Sequence, residues 1–354
     1  MTNVKTFCEA LKEALQEALR HDESVICYGL GVCDPKGIFG STLGLLAEFG
    51  ARRIFETPTS ENAMTGVAIG AALGGKYPVL VHQRTDFSLL ALDQLVNGAA
   101  KWHYMFGGQF TVPMTIRMIM GRGWGQGPTH SQSLQSLYAH VPGLKVIMPS
   151  TPRDAKNHLY SAIFDPNPVI FLEHRWLYES TGMVDSEAQL IDIGKARIAR
   201  VGLDLTIVSV SYLTLEAIRA ANVLVTFGWD VEIVDLISVN PIDWTTIFTS
   251  VQKTGRLLVL DSENITASVS AEIVAKVICE SGVSLKSVPR RLGCPDWPEP
   301  TSYMLTKDFH PNARSISCNA LEILEASDRV NEVDAFFNSL KPHDIPGDWF
   351  KGPF

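Results

Sequence analysis

A chain of 354 residues, 46% hydrophobic and 19% charged, has an ordinary globular composition and enough apolar surface for two domains. Its formal net charge of −8 argues against nucleic acid or an anionic membrane surface as a partner, and no apolar run approaches the roughly 18–20 residues that span a bilayer. Met1 to Arg20 is charged and amphipathic, without a signal peptide's apolar centre, and six cysteines (Cys8, Cys27, Cys33, Cys279, Cys294, Cys318) are scattered with no CxxC pair. This pattern points to reduced, buried thiols in a cytoplasmic protein rather than to disulfides or zinc.

Phe7, Leu11, Leu15 and Leu19 recur at helical spacing, which predicts a surface helix over residues 4–20. Ser24 to Tyr28 reads as a strand running into Gly29-Leu30-Gly31; without a GxGxxG pattern these glycines are weak evidence for a phosphate site. Leu43 to Phe49 reads as helix and Ile54-Phe55 as the second strand. Pro58 punctuates a turn, and a helix rich in small residues follows, closed by Gly74-Gly75. Pro78 to His82 is the third strand; it leads through Gln83-Arg84-Thr85-Asp86-Phe87 into a helix from Leu89 to Phe106. Alternation of Phe110, Val112, Met114, Ile116 and Met118 predicts another strand. The loop after it, Gly121 to Ser131, is too glycine-rich for regular structure and suits close approach to a ligand or another chain. Leu144 to Met148 is a strand, and Thr151 caps a helix to Phe164 with Pro152 at its first position. Asp165-Pro166-Asn167-Pro168 breaks that helix before the strand Val169 to Glu173. Strands alternating with helices indicate a parallel α/β sheet.

Residues 180–200 form a looser connection, where the domain boundary is expected. Beyond it the alternation resumes: strands at 205–210, 231–236, 256–260 and 285–290, helices at 213–226, 243–254 and 265–281. This second unit shows no obvious cluster of catalytic residue types. The tail from Lys341, with three prolines, two glycines and Trp349, suits an extended arm lying on a neighbouring surface. The expected division is 1–185, 196–335 and a tail 336–354.

The stretch from Thr57 to Ala72 organises the rest. Thr59 and Ser60 are good N-cap residues and Glu61 falls in the first helical turn, where a carboxylate complements the helix dipole by roughly 0.3–1 kcal/mol. Ala63, Gly66, Ala68, Gly70, Ala71 and Ala72 give the helix a surface with almost no side chains, open to another backbone or a flat ligand. Thr57-Pro58-Thr59-Ser60-Glu61 followed by this helix resembles the β chain of 2-oxoacid dehydrogenase E1 components, in the transketolase superfamily. The resemblance runs from about residue 4 to about residue 330. It implies an α/β fold of two parallel-sheet domains: a pyrimidine-binding domain, then a transketolase C-terminal domain.

The resemblance also implies roles. A glutamate at the position of Glu61 hydrogen-bonds the aminopyrimidine of thiamine diphosphate, favouring its imino tautomer for proton transfer. Phe87 falls where an aromatic ring stacks on that aminopyrimidine, worth about 0.5–1.5 kcal/mol beyond area burial. His130, in Gly127-Pro128-Thr129-His130-Ser131, matches the active-site histidine, able to donate a proton to substrate near neutral pH. His82, His103 and His140 read as structural or supporting residues. Ala162, Asp165 and Asn167 fall in a segment that binds potassium, mainly through backbone carbonyls, although the same residues also describe a helix simply ended by proline.

The family's other chain carries a Gly-Asp-Gly segment that holds magnesium and the diphosphate, and this sequence has none. Half the cofactor site is therefore expected from a separate α subunit in an α2β2 assembly. E1 β chains usually carry acidic residues where this chain has Gly29-Leu30-Gly31-Val32, and Gln83-Arg84-Thr85 is polar beside the expected cofactor ring. Three functions stay open at this level. The first is an E1 β subunit that decarboxylates a 2-oxoacid and passes the acyl group to a lipoyl-bearing E2 protein. The second is a two-chain transketolase-like enzyme moving a ketol or acyl unit to an aldehyde or ketone. The third is a non-catalytic partner, against which Glu61 and His130 speak.

Overall fold

The computed structural model describes residues 3–121, 125–337 and 350. The first domain runs β1 (Asn3–Thr6), α1 (Phe7–His21), β2 (Val25–Gly29), α2 (Leu45–Phe49), β3 (Ile54–Glu56), α3 (Glu61–Leu73), β4 (Tyr77–His82), α4 (Thr85–Ser88), α5 (Ala100–Met105), β5 (Thr115–Met120), α6 (Gln135–Ala139), β6 (Lys145–Ile147), α7 (Pro152–Ile163), β7 (Val169–His174) and β8 (Thr181–Val184). The second runs β9 (Arg197–Arg200), β10 (Leu205–Ser209), α8 (Tyr212–Leu224), β11 (Val231–Asp235), β12 (Ser238–Asn240), α9 (Trp244–Thr254), β13 (Leu257–Asn264), α10 (Val269–Glu280), β14 (Arg290–Cys294), α11 (Ala313–Ile323) and α12 (Val330–Phe337).

Seven strands form the first sheet in the order β12-β6-β7-β5-β4-β2-β3, parallel throughout except for β12. Every residue of β5 and β7 is buried, because helices cover both faces of a parallel sheet. The second sheet has the order β14-β13-β10-β11-β9, with only β9 antiparallel. This is the expected α/β class with two parallel-dominated sheets.

Helix α1 illustrates how sequence sets packing. Phe7, Leu11, Leu15 and Leu19 all lie on its buried face, each contributing about 1.5–3 kcal/mol on burial. Thr6 and Glu9 close a capping box at its start, with the Thr6 hydroxyl accepting the Glu9 N–H at 3.1 Å. Residues 4–6, expected in the helix, instead form β1, which pairs antiparallel with β8 at the expected domain boundary.

Other elements depart from expectation. Phe110, Val112 and Met114 precede β5 rather than belonging to it; Pro113 has no N–H to give a ladder. The span 89–106 is a 3₁₀ turn, a π-helical stretch at Gln94–Ala99 and then α5. Gly98 sits in the π stretch, where a Cβ would come within 2.9 Å of the Ile69 side chain of α3. The strand expected at 285–290 begins at Arg290 instead. Arg122–Trp124 of the glycine-rich loop and most of the tail lie outside the described residues; the Phe350 ring lies 6.4 Å from that of Trp176.

Candidate active site

Strands β2, β3 and β4 are parallel, so their carboxyl ends open on one edge of the sheet, where open α/β sheets place their ligands. A shallow, solvent-connected cleft lies there. Gly29 at the end of β2 and Leu30 after it, Thr57 to Ser60, Glu61 and Met64 of α3, the end of β4 through Gln83, and Phe87 of α4 line it. Gly29 cannot be replaced without strain: its φ is +152° and a Cβ would lie 2.3 Å from the Val81 carbonyl oxygen.

Glu61 and Phe87 thus face the same cleft. Glu61 is the first residue of α3 and half-buried. Ser60 occupies the N-cap position, but its side chain makes no capping bond, contrary to the expected role. Among the described residues the Glu61 carboxylate has no hydrogen-bond or ion-pair partner; its carbonyl accepts from Thr65 Oγ1 at 2.8 Å. Thr65 Oγ1 also lies 3.3 Å from His82 Nε2. Burial pushes the His82 imidazole down to about 4, so it is neutral at ordinary pH.

His130 joins them. Its half-buried ring meets Phe87 edge-on, with centroids 5.3 Å apart and planes at 88°. Its Nδ1 is 3.1 Å from Thr129 Oγ1. Two contacts hold its loop to the start of α4, one on each side of the histidine. The Arg84 guanidinium donates through Nη2 to Gln126 Oε1, and Gln132 Nε2 donates to Asp86 Oδ1 at 2.8 Å. No sequence signal marks this clamp, whose partners are 42 and 46 residues apart. Glu56 was missed too: at the end of β3 it accepts the backbone N–H groups of Gly31 and Cys33, fixing the glycine turn after β2.

A flat heteroaromatic ring suits this cleft. A carboxylate unpaired among the described residues lies at one wall and an aromatic ring at another, with Gly29 of the glycine turn adding no side chain of its own. Among the described residues no three His, Cys, Asp or Glu side chains group so as to hold a metal ion.

Ala162, Asp165 and Asn167 come together at the end of α7, away from the cleft residues. The Ala162 carbonyl accepts the Asp165 N–H at 3.3 Å, and Asp165 Oδ1 accepts the Asn167 N–H at 2.9 Å. Asp165 Oδ2 pairs with the Lys145 ammonium. The carboxylate is therefore already matched by a cation, and a potassium ion there would rest on carbonyls alone. His103 Nδ1 lies 2.8 Å from the Phe110 carbonyl, and His140 is exposed at the end of α6.

Among the described residues no helix is long and apolar enough to cross a membrane. The transketolase pyrimidine-binding domain family matches residues 4–181, and the transketolase C-terminal domain family matches residues 194–316. The chain is 40% identical over 312 residues to the pyruvate dehydrogenase E1 component subunit beta of Rhizobium meliloti, covering 88% of this chain and 68% of that one. It is 38% identical over 321 residues to the subunit of the same name from Bacillus subtilis, covering 90% and 98%. The acetoin:2,6-dichlorophenolindophenol oxidoreductase subunit beta of Bacillus subtilis is 36% identical over 337 residues, covering 92% and 98%. A split-gene transketolase, solved as an inactive β4 tetramer, shares the fold with a TM-score of 0.72 at 20% identity, over 91% of this chain and 98% of that one. The chain belongs to the family of 2-oxoacid dehydrogenase E1 β subunits, built from a transketolase pyrimidine-binding domain and a transketolase C-terminal domain.

Proposed function

We propose that this chain is the β half of a two-chain thiamine-diphosphate enzyme of the E1 type, working with an E1 α partner in an α2β2 assembly. It decarboxylates a 2-oxoacid and passes the acyl group to a lipoyl group on an E2 protein. The observation that carries this reading is that Glu61 and Phe87 line one cleft and His130 packs against Phe87, with the Glu61 carboxylate free of partners among the described residues. The cofactor, when bound, supplies the carbanion chemistry. This chain's part is to place charge and protons around it. Glu61 holds a proton at the ring nitrogen of the aminopyrimidine, and Phe87 packs against that ring. His130, held over Phe87 by the Gln126 and Gln132 clamps, delivers a proton to the substrate. Magnesium and the diphosphate fall to the α partner, since this chain has no Gly-Asp-Gly segment. The scattered cysteines favour a reducing compartment such as the cytoplasm.

A second reading, transfer to a carbonyl acceptor, draws on Gln83 and Arg84, which put polar groups beside the cleft. Relatives of nearly equal identity are named for pyruvate and for acetoin, so the carbon skeleton is set by local residues rather than by the fold.

Two substitutions in the reconstituted two-chain enzyme test the roles. Glu61→Gln lowers both proton–deuterium exchange at the cofactor's C2 and turnover by about 10²–10⁴. His130→Ala keeps exchange near wild type while turnover falls further, by at least about tenfold or 1.4 kcal/mol. Near-normal exchange in Glu61→Gln reduces that carboxylate to a helix-end charge. Equal loss of exchange and turnover in His130→Ala places the histidine in cofactor activation or loop folding instead.

A further inference from the structure

Arg84 is an unusual residue for its place. Its side chain is 5% exposed, yet its charge meets no carboxylate within ion-pair distance among the described residues. Nη2 is used by Gln126, and Nη1 is buried without any hydrogen-bond partner among the described residues. Burial holds its pKa below the ordinary arginine value, against the opposing pull of nearby Asp86. A second buried guanidinium, Arg175, feels Arg84's charge and stacks on the rings of Phe39 and Tyr178 at 4.2 and 4.8 Å. Two cations therefore share one buried neighbourhood.

Further unmet polar atoms lie on neighbouring residues. Among the described residues Arg84 Nη1 and Asp86 Oδ2, two residues apart in the chain, are buried and unpartnered, and so is Ser131 Oγ, next to His130. Buried polar groups in folded proteins are almost always hydrogen-bonded, so an orphaned guanidinium nitrogen beside a cleft marks a place where a ligand or water belongs. In the chain Arg84 lies between Gln83 and Phe87, both walls of the cleft, and its guanidinium bonds the loop that carries His130.

The geometry points to Arg84 as a receptor for an anionic group on the substrate, a carboxylate or phosphate remote from the reacting carbonyl. The inference rests on the proposed E1-type reading and names its substrate class: a 2-oxoacid with a second acidic group. Guanidinium is the side chain suited to such planar, charge-assisted recognition, and a buried one gains from the exclusion of water. The residue is specificity-determining: it touches the substrate's tail rather than the bond that breaks.

The test compares paired substrates on the two-chain enzyme. 2-Oxoglutarate is set against 2-oxopentanoate, its counterpart with a methyl end, and hydroxypyruvate phosphate against hydroxypyruvate. The charged member of at least one pair is expected to show kcat/KM at least about tenfold higher, and Arg84→Met to erase that ratio mainly through KM. Which pair responds tells carboxylate from phosphate. Arg84→Lys restores part of the preference. Gln126→Leu, which removes the clamp and keeps the charge, retains the ratio even where it lowers kcat for both substrates. Calorimetric titration of succinate, butyrate and inorganic phosphate into the same complex reads the receptor without turnover. Selective, Arg84-dependent binding of succinate or phosphate with no turnover of any 2-oxoacid upholds the receptor and sinks the E1 reading. Turnover with equal preference in wild type and Arg84→Met, and no selective anion binding, overturns the receptor and leaves the E1 reading standing.

Discussion

Arg117 and Arg84 are both buried arginines of the first domain, yet they are treated in opposite ways. Arg117, on β5, is fully buried and met by a carboxylate: Nε and Nη2 reach the two Glu173 oxygens of β7 at 2.5 and 2.9 Å, and Ser41 Oγ accepts a further bond at 2.9 Å. Tyr178 donates its hydroxyl to the same glutamate at 2.5 Å. Even here Nη1 has no partner, but the charge is balanced. Arg84, at the carboxyl edge of the same sheet, has a neutral glutamine and no counter-charge in contact. The core gives its buried cation a carboxylate, whereas among the described residues the sheet edge gives Glu61 and Arg84 no group of opposite charge in contact. A buried charge left without a counter-charge beside a cleft is a functional signal.

That contrast can be broken by measurement. The largest stability effect falls on Glu173→Ala, which leaves Arg117 charged and unpaired in the core and should cost about 3–5 kcal/mol in urea unfolding. A loss below about 1 kcal/mol would mean that the pair does not hold the sheet. Arg84→Met should change stability by less than about 1 kcal/mol in either direction, since exchanging an uncompensated buried charge for an apolar side chain is often neutral or stabilising. A loss as large as that of Glu173→Ala would make Arg84 a second structural arginine.

A smaller effect concerns Glu263, on β13, which accepts the Ser136 N–H at 2.7 Å across the domain junction. Burial, helped by Asp261 beside it, pushes its carboxyl up to about 9. In the folded chain it then keeps a proton that the unfolded chain has lost above its ordinary pKa of about 4.3. Its contribution is present at low pH and drains away as pH rises toward the folded value, the sign expected for a raised pKa. Glu263→Gln should therefore gain on wild type in melting temperature as pH is raised through that window. A constant difference at every pH would show that the carboxyl titrates normally in the folded protein.

Local signals in the sequence were reliable where local physics decides. Thr151 does cap α7, accepting the Asp154 N–H at 3.1 Å with Pro152 in the first turn, and the small-residue helix α3 begins at Glu61. The failures lie where distant chain decides. Strand β12, from the second half of the chain, joins the edge of the first sheet beside β6, and three residues carry too little pattern to announce it. The π stretch at 94–99 sets Gly98 close against Ile69 of α3, a contact invisible to periodicity. Pro113 was a legible warning that the alternation from Phe110 was not yet strand. At the cleft, Glu61, Phe87 and His130 were named from a resemblance to a family. The clamp that positions His130 needed the folded chain, because glutamines carry no motif.

The central claim is that this chain holds one half of a cofactor site, and calorimetry tests it most directly. Thiamine diphosphate with magnesium is titrated into the purified chain and into the chain co-assembled with its E1 α partner. The account predicts saturable, magnesium-dependent binding by the pair and none over the same concentration range by the chain alone. Tight, magnesium-dependent binding by this chain on its own would contradict it.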